Sequence, residues 1–206
     1  MSDYVGISVP SLMSDGQRPI YMTAAFVSWL RQHFIDEKNI ENPDLIQDHT
    51  KFLWTADFAT STISIESISR WDPALVENRP ALIVKRNKWT HMRLGVDNRY
   101  LGYANPKGIT QYCNAWTGSH TIFVLSGEGA ECEVLTAEVY RELNQFAPVM
   151  RRALDLSRLQ VAEVGDIRKL EEATENYVIP ITIAYAFFET WTLTPASPPL
   201  RAVRIQ

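Results

Sequence analysis

The stretch Ser126-Gly127-Glu128-Gly129 separates an apolar run, HTIFVLS, from a helix-like run, GAECEVLTAEVYREL. A strand, a glycine turn and a helix in that order form a common cradle for phosphate. A Walker loop needs glycine, four residues, then Gly-Lys-Ser/Thr, because the lysine must reach the phosphates. Here Gly129 is followed by Ala130-Glu131-Cys132. A dinucleotide fingerprint needs a third glycine three residues after the second, and that position holds Cys132. Glu128, Glu131 and Glu133 also place negative charge where a helix N-terminus attracts anions. The turn reads as a scaffold junction.

Other reactive side chains are few. Cys113 precedes His120 by seven positions, but a nucleophilic cysteine needs a base and an orienting group beside it in space. No Cys-x-x-Cys, His-x-x-x-His or His-Glu-x-x-His spacing provides a metal set. Asp48-His49 is an isolated pair in a polar stretch, and Glu171, Glu172 and Glu175 read as a charged turn near Arg168 and Lys169. These observations predict no catalytic residue, no metal ligand and no cofactor. The segment KRNKWTHMRLGVDNRYLGY remains, with Lys85, Arg86, Lys88, Trp89, Arg93 and Arg99 as binding candidates. Cations interleaved with aromatics can hold single-stranded nucleic acid, yet no RNA-binding signature accompanies them.

Charge is segregated along the chain. Residues 1–79 carry 6 basic and 11 acidic side chains, residues 80–120 carry 6 and 1, and residues 121–206 carry 8 and 12. A basic centre between acidic flanks suits contact between copies, where complementary patches set register. It also suits a nucleic acid. The 206 residues are 46% apolar and 21% charged, which argues for a packed globular chain rather than disorder. No apolar run reaches the length of about 18 residues that spans a bilayer, and the first residues lack the pattern of a secretion signal. Two cysteines are too few for a disulfide framework, so a reducing compartment is expected.

The elements that must position these residues alternate in kind. Residues 1–19 read as an extended arm. TAAFVSWLRQHFI (23–35) has helical spacing at Ala24, Val27, Leu30 and Phe34, with Thr23 as N-cap. KFLWTA (51–56) and TSTISIES (60–67) read as strands. RPALIVKRNKW (79–89) is an apolar strand entered through Pro80, and turns follow at Asn98, Gly102 and Gly108. SHTIFVLS (119–126) is a strand buried on both faces.

A helix over 129–146 carries Val134, Leu135, Val139 and Leu143 as its core stripe, and VMRRALDL (149–156) forms a short helix beyond Pro148. RLQVAEV (158–164) is a strand. YVIPITIAYAFFETWTL (177–193) alternates for seventeen residues, so its odd positions face a core. At about 3.3 Å per residue it reaches about 55 Å and must bend or project. Pro180 within it requires an edge or a bulge. Ile181, Ile183, Phe123, Val134 and Leu143 are expected to be buried together. The order predicts α+β: an antiparallel or mixed sheet packed by one long and one short helix, with an N-terminal helix and extended arm. Residues 1–78 form an N-terminal arm, helix and strands, 79–195 a core domain, and 196–206 a tail.

In that order of elements, from RPALIVKR through HTIFVLS, GAECEVLTAEVYREL and RLQVAEV to the long last strand, residues 79–195 resemble the neck proteins of tailed bacteriophages, most nearly the tail-terminator or tail-completion group. The resemblance implies a structural virion protein without enzymatic activity. It implies a homo-oligomeric ring of about six copies that caps the tail tube and joins it to the head connector. Its partners would be copies of itself, the tail tube and connector or adaptor proteins, with DNA only as passing cargo and no membrane. It would sit in the virion neck, and in the host cytoplasm during assembly. Lys85, Arg86, Lys88, Trp89, Arg93 and Arg99 would then face an acidic neighbour or the lumen. The alternatives are another head–tail joining collar protein, or a small nucleic-acid-binding protein using residues 85–99.

Overall fold

A computed structural model describes residues 18–42, 45, 52–70, 80–93, 110–169 and 176–193. The expected arm up to residue 17, the turns at Asn98, Gly102 and Gly108, and the tail over 196–206 lie outside the described residues.

Helix α1 spans Arg18–His33 and so begins before the expected cap at Thr23. Pro19 falls in its first turn, where a missing N–H loses no helical bond. The face it buries carries Met22, Phe26, Trp29, Leu30 and His33 at three- and four-residue spacing. Of the expected stripe, Val27, Leu30 and Phe34 are buried, whereas Ala24 is exposed. Residues 51–56 do not form the expected strand over their described part. The Trp54 amide donates to the Phe34 carbonyl at 2.8 Å, and the Thr62 amide donates to the Leu53 carbonyl at 3.0 Å, tying this irregular segment to the end of α1.

The strands are β1 (Ser64–Ser67), β2 (Ala81–Arg86), β3 (Thr90–Met92), β4 (Thr110–Ser126), β5 (Arg158–Val164), β6 (Arg168–Lys169) and β7 (Tyr177–Leu193). They form one sheet in the order β1-β2-β4-β7-β5, with β3 also on β4 and β6 on β7. β1 runs parallel to β2 and every other pairing is antiparallel, so the fold is α+β with a mixed sheet. Helix α2 covers Gly129–Ala153 without interruption. The short helix expected after Pro148 is therefore the continuation of the long one. An internal proline removes a single i→i−4 bond, and Met150, Leu154 and Leu156 hold the last turn and its exit in the core.

Both helices cover the same face of the sheet. Ile63, Ile65, Leu82, Val84, Ile122, Val124, Ile179, Ile181, Ile183, Tyr185 and Phe187 meet α1 and α2 in one core, so residues before and after position 78 share it. The odd positions of β7 from Ile179 to Phe187 face inward, as the alternation requires. Phe123 is the exception to the expected core. Its odd position on β4 turns it to the opposite face, half-buried beside Ala81, Ile83 and Leu125. Val134 is half-buried against the main core.

β4 and β7 pair over all seventeen residues, from Thr110↔Leu193 to Ser126↔Tyr177. β2 covers β4 only from His120 to Leu125, β3 from Ala115 to Thr117, and β5 covers β7 from Ile181 to Ala186. Among the described residues, the strand pairings of 110–114 and 189–193 are with each other alone, and Cys113 within this two-stranded part is 1% exposed. Pro180 lies where β5 gives way to β6. Its carbonyl accepts from the Gly165 amide at 2.8 Å, so its missing N–H faces the same break in the ladder. No helix among the described residues is long and apolar enough to cross a membrane.

Candidate interaction surface

The basic candidates do not share one surface. Successive residues of a strand point to opposite faces. On β2, Lys85 therefore joins the outer face, its ammonium 6.0 Å from the Phe123 ring centroid. Arg86 joins the helix-bearing face, opposite His120 in the ladder. Lys88 and Arg93 are exposed, and Arg99 lies outside the described residues.

Trp89 is half-buried and faces the core. Its indole N–H donates to the Tyr185 hydroxyl at 2.7 Å, and its ring packs against Phe187 at 5.1 Å. The Tyr185 hydroxyl lies 2.9 Å from His120 Nδ1, and His120 Nε2 lies 2.9 Å from Thr23 Oγ1. One assignment satisfies the chain: Tyr185 donates to Nδ1 and a neutral imidazole donates from Nε2 to the threonine. Burial, with Arg86 adding in the same direction, pushes the His120 pKa down to about 4 and keeps the ring neutral. This relay, buried at His120 and Tyr185 and half-buried at Trp89 and Thr23, ties the basic segment to the sheet and to α1.

Arg86 also lines a cleft of about 900 Å³ between α1 and the β1–β2 edge. Arg31 is fixed in its wall. Its Nε and Nη2 donate to the Ile65 carbonyl at 3.0 and 2.9 Å, Nη2 also meets Glu66 at 2.5 Å, and the guanidinium stands 4.9 Å over the Trp54 ring. Those bonds also occupy a carbonyl on the outer edge of β1. Arg70 and Arg86 lie in the same cleft, exposed, their guanidinium groups making no hydrogen bond or ion pair among the described residues. Ile35 and Ile68 stand exposed at its rim.

A second polar group is buried between the helices, and sequence reading did not single it out. His33 Nε2 lies 2.9 Å from Glu138 Oε1, and Nδ1 lies 3.2 Å from Glu142 Oε2 in an ion contact set off the hydrogen-bond line. The Trp29 indole donates to Glu142 at 3.0 Å, Arg141 to Glu138 at 2.7 Å, and the amides of Glu41 and Asn42 to Glu138 at 3.3 and 3.1 Å. Burial alone would lower the His33 pKa, but the two carboxylates outweigh it and raise the value to about 9. Burial would likewise raise the Glu138 carboxyl, and His33, then Arg141, holds it below the usual range. An imidazolium thus bridges α1 to α2. The sequence signal was there: Trp29 and His33, like Glu138 and Glu142, are spaced i, i+4 and share faces with core residues.

The remaining chemistry stays apart. Ser126 Oγ donates to the Glu131 carboxylate at 2.6 Å and accepts from the Glu128 amide at 3.2 Å, so the opening turn is closed on its own acid. Cys113 and His120 lie on opposite faces of β4, about 23 Å apart along the strand at roughly 3.3 Å per residue. Cys132 is buried, its thiol donating to the Val124 carbonyl at 3.3 Å, and burial raises its pKa to about 11. Among the described residues no group of His, Cys, Asp and Glu could hold a metal ion. Asp48, His49, Glu171, Glu172 and Glu175 lie outside the described residues. No protein-family model and no curated protein matches this chain.

Proposed function

We propose that this chain is a structural assembly protein of the tailed-bacteriophage neck, a tail terminator whose copies form a ring that caps the tail tube and joins it to the head connector. The observation that carries the reading is the β4–β7 ribbon, whose 110–114 and 189–193 ends have only each other as strand neighbours among the described residues. A stretch of sheet only two strands wide among the described residues gains by strand contact with a neighbouring copy. The order of elements after residue 79, on which the resemblance is drawn, supports the reading, and polar groups inside the fold tie elements together.

The nucleic-acid reading draws less support. Lys85 and Arg86 diverge to opposite faces and Trp89 is turned inward, so the 85–99 segment offers no continuous track of cations and stacking rings over its described part. Imaging by negative stain with and without duplex DNA, at two salt concentrations, separates the two. Rings indifferent to DNA are expected. Single subunits that bind DNA with steep salt dependence would overturn the proposal.

A further inference from the structure

Two surfaces at opposite edges of the sheet are complementary. At the β1 side lies the cleft with Arg31, Arg70 and Arg86 and the aliphatic rim of Ile35 and Ile68. At the β5 side the chain runs Glu163-Val164-Gly165-Asp166-Ile167, with both acids exposed and Val164 and Ile167 exposed by 44% and 40%. The segment is held in shape. A Cβ on Gly165 would lie 2.6 Å from Pro180 Cγ, so only glycine permits the approach that bends the chain between β5 and β6. Exposed Tyr140 on α2 shares an apolar notch of about 290 Å³ with Val164 and Ile167. Large exposed apolar side chains gathered beside charge mark a contact surface.

We propose that the arginine cleft receives the 163–167 edge of a second copy of this chain, head to tail. Arg70 and Arg86 meet Glu163 and Asp166, while Ile35 and Ile68 cover Val164 and Ile167. The aliphatic rim of Ile35 and Ile68 suits a polypeptide edge that carries apolar side chains beside its acids better than a phosphate backbone. β1 and β5 are the two ends of the strand order, so the contact is heterologous and its repetition closes into a ring when the rotation permits. This inference rests on the ring reading above and specifies its interface.

Charge exchange tests it. One variant carries Arg70→Glu with Arg86→Glu, the other Glu163→Arg with Asp166→Arg, all at exposed positions. Circular dichroism and thermal midpoint confirm that each folds as the parent does. Each variant alone is expected to lose self-association by about tenfold or more, since like charges then face each other. An equimolar mixture recovers the parental mass, because both interfaces regain opposite charges. If the parent assembles and either variant assembles equally well alone, the interface is wrong while the ring reading stands. If the parent stays monomeric at every concentration, the ring reading fails and this contact with it. Unchanged mass with loss of salt-sensitive duplex binding in the arginine variant would assign the cleft to nucleic acid and overturn the proposal.

Discussion

At the residue scale, two buried histidines hold opposite charge states, and stability against pH exposes both. His120 is neutral in the fold with a pKa near 4, against an ordinary 6.5. Between those values the unfolded chain binds the extra proton, so stability rises with pH. His33 has a folded pKa raised to about 9 from 6.5. Its contribution is complete below 6.5 and is lost as pH rises through about 9. Stability should therefore peak near pH 6.5, measured as the midpoint of urea unfolding across pH 4 to 10. His33→Leu should flatten the alkaline limb and cost about 3–5 kcal/mol, because buried Glu138 and Glu142 would lose the imidazolium between them, with Arg141 left on Glu138 alone. An alkaline limb unchanged by His33→Leu would remove the imidazolium from the account. The spacing of these residues was visible beforehand, but their meeting was not, for a physical reason. Charged residues on a helix usually face water, and only the tertiary meeting of α1 and α2 makes two i, i+4 pairs into one buried site.

At the element scale, strong periodicity was read well and weak periodicity was not. The bounds of β5 and β7 agree with the pattern of their side chains because one face of each lies on the core. β4 begins nine positions before its apolar run, at Thr110 rather than 119. Its first half pairs with β7 and buries only small residues, Cys113 and Ala115, on one face, and Gly118 lowers its local strand preference. That glycine is needed for space. A Cβ there would lie 2.5 Å from Trp89 Cδ1 and 2.9 Å from Tyr185 Cε2. Gly118→Ala should displace the indole, break the bond from Trp89 to Tyr185, and cost about 1–3 kcal/mol. Tryptophan fluorescence and denaturant midpoint read both effects, and a parental midpoint with unshifted emission would contradict the packing described. The inward face of β7 has its own test. Ile183→Asp, at a site 2% exposed, should cost about 4 kcal/mol or more in denaturant unfolding through a buried unpaired charge. Parental stability would place Ile183 on the wrong face.

At the scale of the whole molecule, the account is one of assembly. Among the described residues, two α-helices and a seven-stranded mixed sheet build a core on one face, and the β1-side cleft and the β5-side edge carry opposite charge. Segregated charge was visible in the sequence, but its geometry was not. Strand alternation splits Lys85 from Arg86, and the cleft draws Arg31 and Arg70 from elements far from the basic segment. The most direct measurement is native mass by light scattering over a wide range of concentration. The account predicts a discrete species of about six times the 23.5 kDa chain mass, unchanged by added DNA. A single 23.5 kDa species at every concentration would contradict it.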